Sequence, residues 1–354
     1  MVKKYFAGII LPGGGKKGIV GCVEGRRIVM KKLMIVLIAV MLCVSCQQPP
    51  VKTGIELKTG SRYYAEAGSS EMAPEILVKY SDGSTVEAVG TVDTSARGLT
   101  DISYENFRIE NGAYIYDIAL SEIPFSMGEK YNSKYVLLKA KDGGYNINKK
   151  EYEADDSKKK EAMLITAENL YILGEEGAEL RIELINQTNV IRVTEGSLTL
   201  DGIKFSIIEP FEDDNDNEVN MIIAEKGSVS VKNCDISGIN VNSLLNPEEG
   251  TEEVFGMVGI YSQNDAFLSL TDNTFREMYI VDNSSKTDVI KDNKFENAYI
   301  AILDSEYSVE GNVFNNDSLG YGIIYDQDLK LDEETVNGLS VSNGGCKVLP
   351  FNNH

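Results

Sequence analysis

The chain has 354 residues, no tryptophan, one histidine at its last position and a formal net charge of −21. That length is ample for two domains. So acidic a surface argues against a nucleic-acid partner and against electrostatic adhesion to anionic lipid, and solubility alone accounts for it. A lone terminal histidine is a poor anchor for a triad or a metal centre, which argues against histidine-dependent catalysis.

Residues 1–29 read as an extension upstream of the true start, because Met30-Lys-Lys supplies the positive beginning that an export signal needs. Residues 30–45 follow those lysines with an apolar run of about a dozen residues, too short to span a bilayer. They end in Leu42-Cys-Val-Ser, directly before Cys46. This end resembles a bacterial lipoprotein signal. The resemblance implies a mature chain that begins at a lipidated Cys46 and is membrane-bound through that anchor. Gln47, rather than Asp, follows the cysteine, which in that family implies sorting to the outer membrane, on its periplasmic or its surface face. Cys43 stands where such signals usually carry leucine, and a plain signal peptide is the alternative. Removing residues 1–45 takes away eight basic residues and one acidic one, so −21 becomes −28. Residues 46–53 form a short polar tether.

Residues 54–130 carry no twenty-residue repeat. Their clearest feature is Glu75 to Val89, two β-rich runs flanking Asp82-Gly83, a strong hairpin signal. The phrase Tyr80-Ser-Asp-Gly-Ser-Thr85 resembles bacterial immunoglobulin-like surface modules, which implies a small β-sandwich-like domain. An irregular β cap on the following domain is the alternative.

Residues 134–346 are organised by one phrase written five times: Leu198 to Phe205, Val229 to Ile236, Leu268 to Phe275, Asp288 to Phe295 and Tyr307 to Phe314. Aligned on Leu200, Val231, Leu270, Ile290 and Val309, the steps are 31, 39, 20 and 19 residues. A basic period near twenty, with two longer steps, indicates stacked units carrying insertions, here around 209–219 and 240–253. Within each copy apolar residues alternate with small or charged ones, the period of a strand with one buried face. Five residues after each anchor stand Phe205, Ile236, Phe275, Phe295 and Phe314. Three after it stand Ile203, Cys234, Asn273, Asn293 and Asn312, and asparagines so placed can bond to their stacked neighbours. The pattern resembles the right-handed parallel β-helix of the pectin-lyase-like superfamily, so an all-β chain is expected. Leu339-Ser-Val341 is read as closing the stack, and residues 347–354 as a tail.

The residues that bear on chemistry are few. Asp213, Asp214, Asp216 and Glu218 offer hard oxygen ligands of the kind Ca²⁺ takes, although an EF-hand frame opening at Asp214 puts Val219 where glycine is required. A solvated loop with no metal is the preferred reading, and no cofactor is expected. Tyr261, Tyr279, Tyr299 and Tyr321 occupy similar places on four consecutive rungs; outward they would form a ladder for sugar rings, inward simply core. Arg181, Arg192 and Arg276 read as unaligned, unlike a uronate-neutralising lyase face. Asp201, Asp272, Asp292 and Glu310 read as turn residues rather than paired catalytic acids. The fold serves lyases, hydrolases, adhesins and structural proteins alike. The reading is therefore a monomeric, non-catalytic envelope protein that binds a polysaccharide or cell-surface glycan. A carbohydrate-active enzyme, a polysaccharide lyase or glycoside hydrolase, is the alternative, and a surface spacer the second.

Overall fold

The structure, a computed structural model, describes residues 49–58, 62–69, 73–95, 98–147, 161–183, 189–209, 220–238, 258–317 and 319–352. They fall into two compact units, one holding the chain up to Thr53 with Val78–Val86, the other Gly54–Leu77 and the chain from Glu87 onward. In the first unit the expected Asp82-Gly83 turn is present. Asp82 accepts from the Ser84 amide at 2.9 Å, Gly83 adopts φ +82°, and the Tyr80 amide donates to the Ser84 carbonyl at 3.0 Å.

The second unit opens with a mixed four-stranded sheet. Tyr63–Glu66 pairs parallel with Phe107–Tyr116, which pairs antiparallel with Gly98–Tyr104, and that in turn with Thr91–Val92. Beyond it the chain winds into a parallel β-helix. Among the described residues it builds three parallel sheets of eight, seven and nine strands. Each coil gives one strand to each sheet. Phe267–Thr271, Thr274–Arg276 and Tyr279–Ser284 form one coil, and Asp288–Lys291, Lys294–Glu296 and Tyr299–Ile302 form the next.

The repeat sets the register. Leu200, Val231, Leu270, Ile290 and Val309 are consecutive paired neighbours in the first sheet, as expected. Phe205, Ile236, Phe275, Phe295 and Phe314 pair in the same way in the second. The Phe275 and Phe295 rings lie 5.2 Å apart and those of Phe295 and Phe314 4.6 Å apart. A single coil has nowhere to bury such a face, and stacking provides it.

Between the first and second sheets the chain turns on a left-handed residue: Gly202, Asn233, Asp272, Asp292 and Gly311, with φ between 53° and 73°. These are the residue types that tolerate that region. The next residue forms the ladder. Asn273 donates its side-chain amide to Asn293 at 3.0 Å and Asn293 to Asn312 at 3.0 Å. Each also donates to an anchor-strand carbonyl, Val231, Leu270 and Ile290 in turn. Each amide oxygen accepts the backbone N–H of the preceding ladder residue, beginning with Cys234. Both side-chain N–H groups of each asparagine, and both acceptor sites of the Asn293 and Asn312 oxygens, are thereby used inside the core.

Both ends of the stack differ from expectation. Ile118–Leu120 and Ser126–Met127 already pair parallel with Tyr135–Leu138 and Glu161–Ile165, so coiling begins upstream of Lys134. Leu339 to Val341 form no strand; they lie in the helix Glu333–Ser342. Asp332 starts that helix by accepting the Thr335 amide at 2.8 Å, with Glu333 and Glu334 suited to its positive end. It packs on the terminal strand Tyr307–Glu310 and covers an edge that would otherwise invite pairing. The expected tail is also a strand, because Val348–Phe351 pairs with Ile323–Asp326 at the margin of the third sheet. Pro350 is tolerated there because an edge strand needs no donor on its free side.

Candidate functional site

Three outward surfaces carry the chemistry. On the first sheet the residue before each anchor faces out. That column runs Tyr135, Tyr171, Thr199, Ser230, Ser269, Val289 and Ser308, each paired with the next. The Tyr135 and Tyr171 rings stack at 4.4 Å with an interplanar angle of 6°, and both are half-buried. Small hydroxyl residues then continue the face, interrupted once at Val289. Sequence reasoning passed over these two tyrosines, yet the alternation in Tyr135-Val-Leu-Leu and Leu170-Tyr-Ile-Leu places both outside.

A wall rises beside this face. Leu137 and Leu173, two positions further along the same strands, are buried under Tyr116 with Tyr64 and Tyr114 against them. The Tyr64 hydroxyl donates to the Gly174 carbonyl at 2.5 Å. Arg62 reaches Asp201 at 2.8 Å, and Lys232 approaches the same carboxylate at 3.5 Å. A Cβ at Gly202 would lie 2.5 Å from the Arg62 guanidinium, so glycine leaves the notch that Arg62 fills. Burial is the largest single influence on the Arg62 guanidinium and works against its charge, but Asp201, Tyr64 and Tyr114 together outweigh it and raise the pKa. Asp201, expected as a turn residue, is instead the 1 % exposed centre of an ion-pair network.

The second surface is the turn between first and second sheets. Asp272 and Asp292 are exposed on consecutive coils and line an open groove of about 370 Å³ with Thr274, Lys294 and Val313. Both sit at left-handed turn positions, as expected, while Glu310 ends a strand and pairs with Lys291 at 2.8 Å. The three arginines do not form one column, since Arg192 lies on the third sheet, but two of them do align. Arg181 pairs with Ser206 and Ser237 with Arg276, and the register of Lys204 with Asp235 joins these into one column. Arg181 and Arg276 therefore share a face three coils apart, roughly 14 Å at the usual strand spacing. Both have acceptors: Arg276 is held between Asp235 and Glu296, and Arg181 donates to the Gly143 carbonyl.

The third surface holds the tyrosine quartet. Tyr279 and Tyr299 are in register, their rings stacked at 5.2 Å and 8°, and Tyr321 meets Tyr299 edge-on at 5.5 Å. Tyr261 lies opposite Val281 instead, and its hydroxyl accepts from Asn283 at 2.9 Å. Tyr279, Tyr299 and Tyr321 are 5, 1 and 6 % exposed, packed with Val281, Ile324 and Phe351 in a cluster separate from the central core. Burial pushes the Tyr321 pKa up to about 12. These side chains lie on the outside of the sheet and are nevertheless covered.

Cys46, Asp213, Asp214, Asp216 and Glu218 lie outside the described residues, as do the signal segment and most of both insertions. Cys234 and Cys346 are free thiols, and burial drives the Cys234 pKa up to about 12. The architecture defines a parallel β-helix solenoid. No family model matches the chain, nor does any curated protein or solved structure.

Proposed function

We propose that the chain is a lipid-anchored protein of the cell envelope that binds a neutral glycan along the outer face of its first sheet. The stacked pair Tyr135 and Tyr171, running into Thr199, Ser230, Ser269 and Ser308, carries this reading. Aromatic rings offer apolar faces to a pyranose, and hydroxyls repeating at about 4.8 Å offer donors and acceptors to its own hydroxyls. The net charge of −21 favours a neutral polymer over an acidic one. The module before the solenoid would serve as a stalk above the Cys46 anchor. A glycan array and affinity electrophoresis on residues 47–354 test the reading. Tyr135→Ala with Tyr171→Ala should abolish binding and leave the melting curve in place. Loss confined to Tyr279→Ala with Tyr299→Ala would move the site to the third sheet. Binding to no glycan would leave the spacer.

One observation favours a second reading, a carbohydrate-active enzyme: Asp272 and Asp292 stand on consecutive coils in one groove with Lys294. Paired carboxylates at a cleft are what glycoside hydrolysis needs. Incubation with acidic and neutral polysaccharides separates the two readings. New reducing ends, or ultraviolet absorbance from a lyase product, that vanish in Asp292→Asn would make the protein an enzyme.

A further inference from the structure

Inside the solenoid the inward columns are apolar from coil to coil. Leu198, Val229 and Leu268 form one, Val193 and Ala224 another, and all are buried. Toward the C-terminal end of the stack both columns turn acidic. The first continues at Asp288, just before the Ser269–Val289 pair, and the second runs through Ser262 and Asp282 before returning to Ile302. Asp282, Asp288, Ser262 and Ser284 are all 0 % exposed.

The two carboxylates are not equivalently satisfied. Asp288 accepts from the Ser262 hydroxyl at 2.5 Å and from the Leu268 amide at 2.7 Å. Asp282 is far less well served: both its oxygens are buried without a well-formed hydrogen bond, and only the Ser284 backbone amide lies close enough to favour its charge. The side chain within hydrogen-bonding reach of it is Asp288. Two charged carboxylates side by side in an apolar lumen would repel and stay unsolvated. A proton on one of them converts an orphan acceptor into a donor and removes the repulsion. Among the described residues no group of three metal-ligating side chains includes the pair.

We infer that Asp282 and Asp288 share one structural proton, held as an Asp282 carboxylic acid donating to the Asp288 carboxylate, and that this proton stabilises the two coils it joins. Burial first, and then the Asp288 charge, push the Asp282 pKa up to about 9. Burial raises Asp288 as well, but its bonds from Ser262 and Leu268 work the other way and make it the ionised partner. The other titratable groups facing the pair are Asp304, whose charge adds to the repulsion, and Tyr307, raised by its own burial and by Asp282. Lys286, in the turn joining the two strands, is exposed.

Unfolded, Asp282 would release its proton near 3.8. Between that value and about 9 the folded chain holds the extra proton. Stability from this pair is therefore complete at the acid end and falls as pH rises, about tenfold in the unfolding constant per pH unit. Above about 9 the folded pair ionises too and the slope ends.

Urea unfolding of the full-length chain at several values between about pH 5 and pH 9 reads this directly. Asp282→Asn keeps a donor toward Asp288 and has no proton to lose. Its loss of stability with pH should be shallower than that of the wild type by one proton's worth. Identical slopes for the two would overturn the inference. Infrared difference spectra provide a readout independent of the variant's folding. At neutral pH the wild type should show the carbonyl stretch of a buried protonated carboxylic acid. If that band is missing, the shared proton does not exist.

Discussion

Asn312 donates its side-chain amide to Asn343 at 2.8 Å, so a ladder built at the turns between strands is closed by the residue that ends a helix. Asn343 in turn donates to the Val309 and Leu339 carbonyls, and its oxygen also accepts the Asn312 amide. The capping helix is thus bonded into the interior of the stack as well as packed over its end. Replacing Asn293, one step further in, with alanine removes partners from the Asn273 amide groups and from the Leu270 carbonyl. Each buried group left unpaired costs about 1–3 kcal/mol, so Asn293→Ala should destabilise by at least about 3 kcal/mol in urea unfolding. A cost below about 1 kcal/mol would mean that water replaces the ladder.

Phe295 is fully buried between Phe275 and Phe314. Phe295→Ala should cost about 3–5 kcal/mol, the usual range for a large truncation in a close-packed core. Denaturant unfolding measures it, and a near-neutral result would mean that the coils collapse onto the gap.

Arg62 and Asp201 are a part-buried pair, 19 and 1 % exposed at their side chains. Removing Arg62 leaves the buried Asp201 carboxylate with only the longer Lys232 contact, so Arg62→Ala should destabilise by about 3 kcal/mol. Asp201→Asn in the Arg62→Ala background should restore part of that loss. A double-mutant cycle reads the coupling, and additive losses would show that the two side chains act independently.

Lipidation at Cys46 is tested by metabolic labelling with a fatty acid. The wild type should be marked and Cys46→Ala should not, with the variant released from the membrane fraction. Equal labelling of both would remove the anchor.

The solenoid and its register were legible in the residues because stacking repeats one local environment on every coil. A strand period of two and a fixed offset between anchor, ladder and phenylalanine positions write that environment into the sequence several times. The stacking of Leu270, Ile290 and Val309, the Asn273–Asn293–Asn312 ladder and the Asp82-Gly83 turn follow from that redundancy. Even the acidic exception was in view, since Asp288 stands where the earlier copies carry Leu198, Val229 and Leu268. What the repeat does not encode is anything that happens once. The helix at Leu339 follows from a single Asp332 cap, and Asn343 joins the ladder from outside any strand. Asp201 looks like its turn-forming counterparts until Arg62, distant in sequence, is folded against it. Tyr279 and Tyr299 lie on the outer side of their sheet, yet they are buried in a cluster with Ile324 and Phe351, so facing outward does not make them accessible. Periodicity reports which side of a strand a residue takes. Whether that side meets water, a partner carboxylate or another segment is decided by long-range packing, which costs chain entropy to assemble and leaves no period behind.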